Sequence, residues 1–355
     1  MSNESNATAV KANKLSAKQV GNLLLDNALY ILMIIAVIVI QIVNPNFLRP
    51  ASLVNILSQT AAYLPAALGI AGCIVLTGTD LSAGRAVGLT ACISASLLQV
   101  AGSASKMWPE LGTLPVALVI LIAVLLGAAI GAFNGFFVAK FKLHPFIVTL
   151  GTQLILYSCL LLYVQMGNNG GMAISSLDAS YTDFVKGSFI SVPTGNGTST
   201  PIPNYVWFAI LLAALMWFIW NKTTFGKNMF ALGSNEEAAR VSGVNVFATT
   251  ILVFALAGAM YGWTGFVEGA RIGSNTANTG FNYELDAIAA CVIGGVSFVG
   301  GIGKIRGIII GVLLLRLIFV GLNMASVPQD LIYLVKGGII LFACALDMRK
   351  YLVKK

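Results

Sequence analysis

Long apolar runs separated by short polar breaks fill most of the sequence from residue 27 onward. A run of about 20 apolar residues is long enough to cross the hydrocarbon core of a bilayer as a helix, and the chain has about ten such runs. They lie near residues 27–43, 52–77, 81–101, 113–136, 145–166, 204–220, 246–267, 284–300, 303–323 and 330–347. The pattern therefore predicts an all-α, polytopic membrane helix bundle, with a transmembrane domain over residues 27–348.

Small residues inside these runs indicate where the helices approach closely. Gly127 and Gly131 are four residues apart, as are Gly303 and Gly307, and Gly307 and Gly311. Residues without side chains at this spacing let two helix backbones touch in lipid. The pattern favours a tightly packed bundle.

Composition agrees with a membrane protein. Hydrophobic residues make up 57% of the chain and charged residues only 10%, with a mean hydropathy of +0.87. A soluble surface needs roughly a quarter of its residues charged. The net charge of +8 therefore concerns the orientation of the spans and not nucleic acid. The five cysteines are isolated within apolar runs, so we expect no metal site, no disulfide and no cofactor.

The distribution of cations predicts the orientation. Cytoplasmic connections of membrane proteins carry an excess of Lys and Arg. An even number of spans starting inside gives a polar cytoplasmic tail over residues 1–26 and a basic cytoplasmic C-terminus over residues 349–355. Cations assigned to the inside are Lys11, Lys14, Lys18, Arg85, Lys140, Lys142, Lys222, Lys227, Arg240, Lys304, Arg306, Arg349, Lys350, Lys354 and Lys355; those assigned to the outside are Arg49, Lys106, Lys186 and Arg271.

The connection over residues 221–246 is a polar island between two apolar runs. Ser234 or Asn235 can cap a helix with carboxylates in its first turn, and Gly243 can stop it. A short rigid helix on the cytoplasmic side is suited to docking onto a soluble partner, although an ordinary solvated loop has the same composition. The docking residues would be Asn235, Glu236, Glu237, Ala238, Arg240 and Gly243.

A second polar stretch, TGTDLSAGR over residues 77–85, interrupts an apolar region. It is interpreted either as a tight cytoplasmic hairpin or as a broken helix whose irregular backbone lines a hydrophilic passage. In the second case the stretch would belong to a pathway or gate. The candidate residues are Thr79, Asp80, Ser82 and Arg85.

A third discontinuity begins with two acids and ends with paired glycines. The acids suit the N-terminal end of a helix dipole, and the glycines permit bending or close approach. The candidate pathway residues here are Glu284, Asp286, Gly294 and Gly295. Arg316 and Lys336 lie within later spans, where an ionised group usually faces protein or water, or reaches toward the end of its span.

Three stretches carry a family resemblance. TTFGKNMFALGSNEEAARVSGVNV is similar to the cytoplasmic coupling segment of sugar-type ABC importer permeases, and GTDLSAGR and ELDAIAA followed by paired glycines resemble motifs of the same family. The likeness runs from about Asn44 to the C-terminus and is nearest to permeases for galactose and methyl-galactosides. It implies a fold of the vitamin-B12-importer-like class in a bacterial inner membrane.

The resemblance also implies the partners. These are a second copy of the permease, an ABC ATPase subunit on the coupling segment, a periplasmic sugar-binding protein and a small sugar, most simply galactose or a methyl-galactoside, with ribose or xylose as the alternative. The chain has no GxxxxGK[ST] phosphate loop. We therefore expect a transport subunit without an ATPase site of its own, and no enzyme.

Two other function classes fit less well. An ion-coupled secondary transporter would carry acids deep inside its spans, whereas the acids here lie at span ends and in loops. A membrane enzyme would need a nucleophile with a base and an orienting group, or metal-ligand spacing, and neither pattern is present.

Overall fold

A computed structural model describes residues 28–195 and 198–352. The predicted tail over residues 1–26 and the last residues, 353–355, lie outside the described part. Within it the chain forms thirteen helices and one two-stranded hairpin. In chain order these are α1 (Ala28–Val43), α2 (Pro50–Val75), α3 (Ala83–Leu97), α4 (Val116–Phe141), α5 (Pro145–Gln165), α6 (Ala179–Lys186), β1 (Ile190–Gly195), β2 (Thr198–Ile202), α7 (Asn204–Lys222), α8 (Thr224–Ser234), α9 (Glu236–Val241), α10 (Val246–Ile272), α11 (Tyr283–Ile293), α12 (Ile305–Met324) and α13 (Gln329–Leu352).

Six of the described helices, α2, α4, α5, α7, α10 and α12, are long and apolar enough to cross a membrane. The mostly helical, multi-pass fold is confirmed. Two predicted spans are not continuous helices, however. The run at 81–101 contains only the 15-residue α3, and the run at 284–300 contains only the 11-residue α11, followed by a loop. Both short helices are largely buried. Their apolar residues contact protein, so an apolar run of this kind does not by itself indicate a helix long enough to span.

Helix α10 lies at the centre of the bundle and packs along α4, α3 and α2. The α4–α10 contact is backbone on backbone, because a Cβ added at Gly127 would meet the carbonyl of Gly258, and one added at Gly262 would meet Ala123. The prediction of close approach at Gly127 and Gly131 is confirmed. The close approach predicted at Gly307 and Gly311 is also confirmed, since both glycines contact the backbone of α11 and its C-cap, at residues 290–294.

The outer helices leave large apolar side chains uncovered by protein. Helix α4, for example, exposes Leu121 and Leu125, and α5 exposes Leu154 and Leu162. These faces suit lipid, where apolar side chains need no partner.

The connection between α5 and α7 carries the hairpin and the short helix α6. Asp178 caps α6 by accepting from the amide of Ser180 at 2.9 Å and from its hydroxyl at 2.6 Å, and these bonds hold the pKa of the Asp178 carboxyl below its usual range. Bridges from Gln99 to Leu177 and from Ile174 to Asn275 tie this connection to the ends of α3 and α10. It therefore forms ordered structure at one end of the bundle.

Candidate functional site

The polar island forms two successive helices, α8 and α9, where the sequence predicted one. Asn235 separates them in extended conformation and caps α9, its Oδ1 accepting from the amide of Ala238 at 2.9 Å. Gly243, at φ +85°, follows the end of α9 as predicted. The open choice between Ser234 and Asn235 as cap is thus resolved in favour of Asn235. Helix α8 was missed because its mixture of polar, apolar and glycine residues resembles that of a connecting loop.

Helix α9 presents charge outward. Arg240 pairs with Glu236 at 2.7 Å and with Glu237 at 3.5 Å, and all three side chains are exposed. Ala239 is buried against the body of the protein, while Val241 is 88% exposed. The exposed surface of α9 therefore carries three charged side chains and one apolar side chain.

The stretch 77–85 is a break between α2 and α3 that lies inside the protein. Asp80 and Ser82 are fully buried, and Asp80 Oδ1 accepts from Ser82 Oγ at 2.6 Å. Asn134 of α4 donates to Ser82 Oγ at 2.9 Å, and Thr152 of α5 donates to Asn134 Oδ1 at 2.6 Å. This hydrogen-bonded chain favours the broken-helix interpretation over a solvated hairpin. Sequence reasoning missed Asn134 and Thr152, although an Asn inside an apolar span was a usable signal.

The third discontinuity lies against this break. The irregular segment before α11 runs beside α3, where a Cβ at Gly84 would strike Glu284 and one at Gly88 would strike the carbonyl of Thr279. Arg85 lies between these segments, with its guanidinium 4.1 Å from the ring centre of Tyr157 and 5.3 Å from that of Phe281. The structure therefore brings Arg85 and Glu284, which are 199 residues apart in the sequence, into one region.

Asp286 is the centre of a buried ion cluster. It lies 2.5 Å from Arg316 of α12 and 2.9 Å from Lys336 of α13. The Arg316 guanidinium lies over the ring of Tyr63 at 3.4 Å, and Tyr63 stacks on Tyr283 at 4.2 Å. The cluster joins four helices, α2, α11, α12 and α13. Arg316 and Lys336 therefore face protein, as expected of ionised groups in a span, but their shared partner was not predicted.

A second ion pair with a buried carboxylate was not predicted either. Glu268, near the end of α10, pairs with Arg271 at 2.8 Å and is itself fully buried. The spacing of three residues on one helix was the available signal.

The paired glycines complete the arrangement. Gly294 packs on the backbone of Gly307, whereas Gly295 adopts φ +81° at the end of α11. Farther along, the amide of Gly301 donates to the carbonyl of Val75 at 2.9 Å, and Gly300 and Gly301 lie against Gly233 and Ser234 of α8. The loop after α11 thus touches both the end of α2 and the helix pair α8–α9.

In the described residues no group of three or more His, Cys, Asp and Glu side chains is placed to hold a metal ion. The arrangement combines irregular backbone, buried polar side chains and a helix with exposed charges.

Comparison with known proteins decides the family. The family described as branched-chain amino acid transport system / permease component matches residues 52–344. The chain belongs to this permease family. It is 45% identical over 330 residues to the galactose/methyl galactoside import permease protein of Salmonella typhimurium, covering 93% of this chain and 96% of that protein. Identity to its namesake in Escherichia coli K12 is also 45%, with the same coverage.

More distant relatives in the permease family carry other names. The ribose import permease protein of Haemophilus influenzae is 32% identical over 335 residues, which is 94% of this chain and 97% of that protein. No solved structure gives a significant match. The predicted resemblance to sugar importer permeases is confirmed, and the chain is a transport subunit and not an enzyme.

Proposed function

We propose that this permease is the membrane subunit of an ATP-driven importer for galactose and methyl galactosides. The observation that carries the proposal is the 45% identity to import permeases of that name across almost the full length of both chains. The relatives named for ribose stand at 32% and 33%. Ribose is therefore the second candidate substrate.

The topology we propose has about ten crossings and both termini in the cytoplasm. In this topology α3 and α11 are each too short to cross alone. The irregular segments next to them, including the one before α11, would complete the two crossings. Irregular backbone at that depth is tolerated only where protein or water satisfies its polar groups. Side chains supply such bonds at the first break, where the amide of Ser82 donates to Asp80, the amide of Leu81 donates to Thr149, and the Thr149 hydroxyl donates to the carbonyl of Thr79. We assign the fold to the vitamin-B12-importer-like class.

The proposed partners follow from the surface of α9. An ABC ATPase subunit would dock on Asn235, Glu236, Glu237, Ala238, Arg240 and Gly243, a periplasmic sugar-binding protein would dock on the opposite end, and a second permease copy would complete the passage. The exposed charges and exposed Val241 of α9 support the first contact. The complex would lie in a bacterial inner membrane.

The proposed mechanism uses the contact of α8, which directly precedes α9, with the loop after α11. Closing of the ATPases would displace α8 and α9, and the contact of α8 with Gly300 and Gly301 would pass that movement to the end of α2. The pathway residues proposed are Thr79, Asp80, Ser82, Arg85, Glu284, Asp286, Gly294 and Gly295. Different contacts in the two ATPase states would shift the passage between inward- and outward-facing populations.

The test is uptake of labelled galactose and labelled ribose into vesicles containing the permease, its ATPase and its binding protein. We expect ATP-dependent accumulation of galactose with little ribose. Accumulation driven by an ion gradient without the ATPase would refute the ATP-driven mechanism. Equal or preferential uptake of ribose would refute the substrate assignment and leave the mechanism standing.

A further inference from the structure

A cleft of about 640 Å³ opens between α9 and the turn that joins α4 to α5. On one side it is lined by Asn235, Glu236 and Arg240, and on the other by Lys142, Leu143 and His144. This volume is enough to admit several side chains of another protein. A molecule entering the cleft would touch α9 and the turn together.

The free charge in the cleft is positive. Arg240 is neutralised by Glu236, whereas no carboxylate in the described part of the chain lies within ion-pair distance of Lys142. His144 uses Nδ1 to accept from the amide of Phe146 at 3.3 Å, which leaves Nε2 as a donor. Lys142 and His144 therefore offer donors on the same wall, and a carboxylate is the complementary group.

Exposed apolar side chains lie in and beside the lining of the cleft. Leu143 lines the cleft and is 42% exposed. Phe141 and Val241, 57% and 88% exposed, directly adjoin the lining residues Lys142 and Arg240 in sequence. A positively charged cleft with exposed apolar side chains beside it is complementary to a segment that carries both a carboxylate and apolar side chains.

The backbone of Lys142 is unusual. It has φ +54° and ψ +32°, the left-handed conformation that follows the end of α4. For a residue other than glycine or asparagine this conformation costs about 1–2 kcal/mol. The strain suggests that the lysine side chain has a use at this position.

The floor of the cleft reaches the first break. It contains Thr77, which lies two positions after the last residue of α2, and Val299 from the loop after α11. Thr77 has φ +60°, an outlier for a β-branched side chain, and its methyl group borders Gly300. Whatever fills the cleft is therefore in position to press on both broken segments.

We propose that this cleft is a second docking site for the ATPase subunit, filled by an acidic, partly apolar segment of that subunit. The inference rests on the proposed function, in which α9 is the first contact. It adds the α4–α5 turn to the interface and places the partner in direct contact with Thr77.

The first test compares Lys142, in the turn between α4 and α5, with Lys140, in the last turn of α4. Lys142 lines the cleft, whereas Lys140, also exposed, does not. The variants are Lys142→Asn and Lys142→Glu, with Lys140→Asn and Lys140→Glu as matched controls. Asn keeps the left-handed backbone accessible, so Lys142→Asn removes the charge without adding strain.

The readouts are the affinity of the ATPase for the reconstituted permease and ATP hydrolysis stimulated by the loaded binding protein. We expect Lys142→Glu to weaken binding by about tenfold or more, Lys142→Asn less, and the Lys140 variants by less than about twofold. Equal effects of the two lysines would overturn the proposal, because a general surface charge would then explain the loss.

The second test places a photo-crosslinking residue at position 143, 241 or 189 in the assembled transporter. Phe189 is 82% exposed in the connection between α6 and β1 and serves as a control site away from the cleft. Crosslinks to the ATPase from 143 and 241, but not from 189, would support the proposal. A crosslink from 241 alone, or from 143 to lipid, would overturn it and leave the proposed function intact. Failure at both 143 and 241 would refute the ATPase docking assignment itself.

Discussion

Two ion clusters in this permease use the same chemistry in opposite surroundings. On α9, Arg240 meets Glu236 and Glu237, with side chains 45%, 53% and 77% exposed. In the bundle, Asp286 meets Arg316 and Lys336, with side chains 7%, 5% and 20% exposed. Exposed pairs contribute little to stability, whereas removing one partner of a buried pair leaves a charge with no water to solvate it. The α9 charges are therefore available for binding a partner, and the Asp286 cluster holds the helices together.

The largest expected effect is at Asp286. Asp286→Asn leaves both Arg316 and Lys336 without an anion, so we expect a loss of about 3–5 kcal/mol in the free energy of unfolding. Thermal unfolding of the purified permease in detergent would measure it. Asp330→Asn, at an exposed position of α13, is the control and should leave stability nearly unchanged. A loss below about 1 kcal/mol at Asp286 would show that the buried cluster behaves like the exposed one.

A smaller effect is expected at Lys336. Lys336→Met removes a partly exposed cation and leaves Asp286 paired with Arg316 at 2.5 Å. The loss should be about 1 kcal/mol, and the same thermal unfolding experiment measures it. If Lys336→Met destabilises as much as Asp286→Asn, the cluster depends on both cations equally, and the short contact with Arg316 is not its main bond.

The smallest effect on stability is expected at Arg240. Arg240→Ala should change the free energy of unfolding by less than about 0.5 kcal/mol, because its ion pairs are exposed. Transport should nevertheless fall sharply if α9 binds the ATPase as proposed. Uptake and unfolding measured on the same preparation separate the effect on transport from the effect on stability. Normal uptake by a fully stable Arg240→Ala variant would argue against a binding role for this cluster.

The local features of the fold were predictable from the sequence. The mostly helical, multi-pass character, a cap at Ser234 or Asn235 and the close approach at Gly127 and Gly131 depend on neighbouring residues, and the structure agrees with each. The count of about ten spans is not confirmed, since six described helices are long and apolar enough to cross a membrane. The predicted helices at 81–101 and 284–300 were too long, because apolar residues in a buried irregular segment have the composition of a span.

The partners of the buried charges were not predictable. Asp286 is 30 residues from Arg316 and 50 from Lys336, and no local pattern indicates which distant cation meets a given acid. The same holds for the chain from Asp80 through Ser82 and Asn134 to Thr152, whose members come from three separate segments. Such contacts depend on tertiary packing, which a single sequence does not display.

The contact between α4 and α10 has a consequence for movement. Where Gly127 and Gly131 meet Gly258 and Gly262, the backbones touch with no space for even a methyl group. At these contacts the glycines contribute no side chain whose change of rotamer could let one helix slide past the other. We therefore expect the two helices to move together during a transport cycle, with bending at their ends, at residues 142–144 and at Gly273.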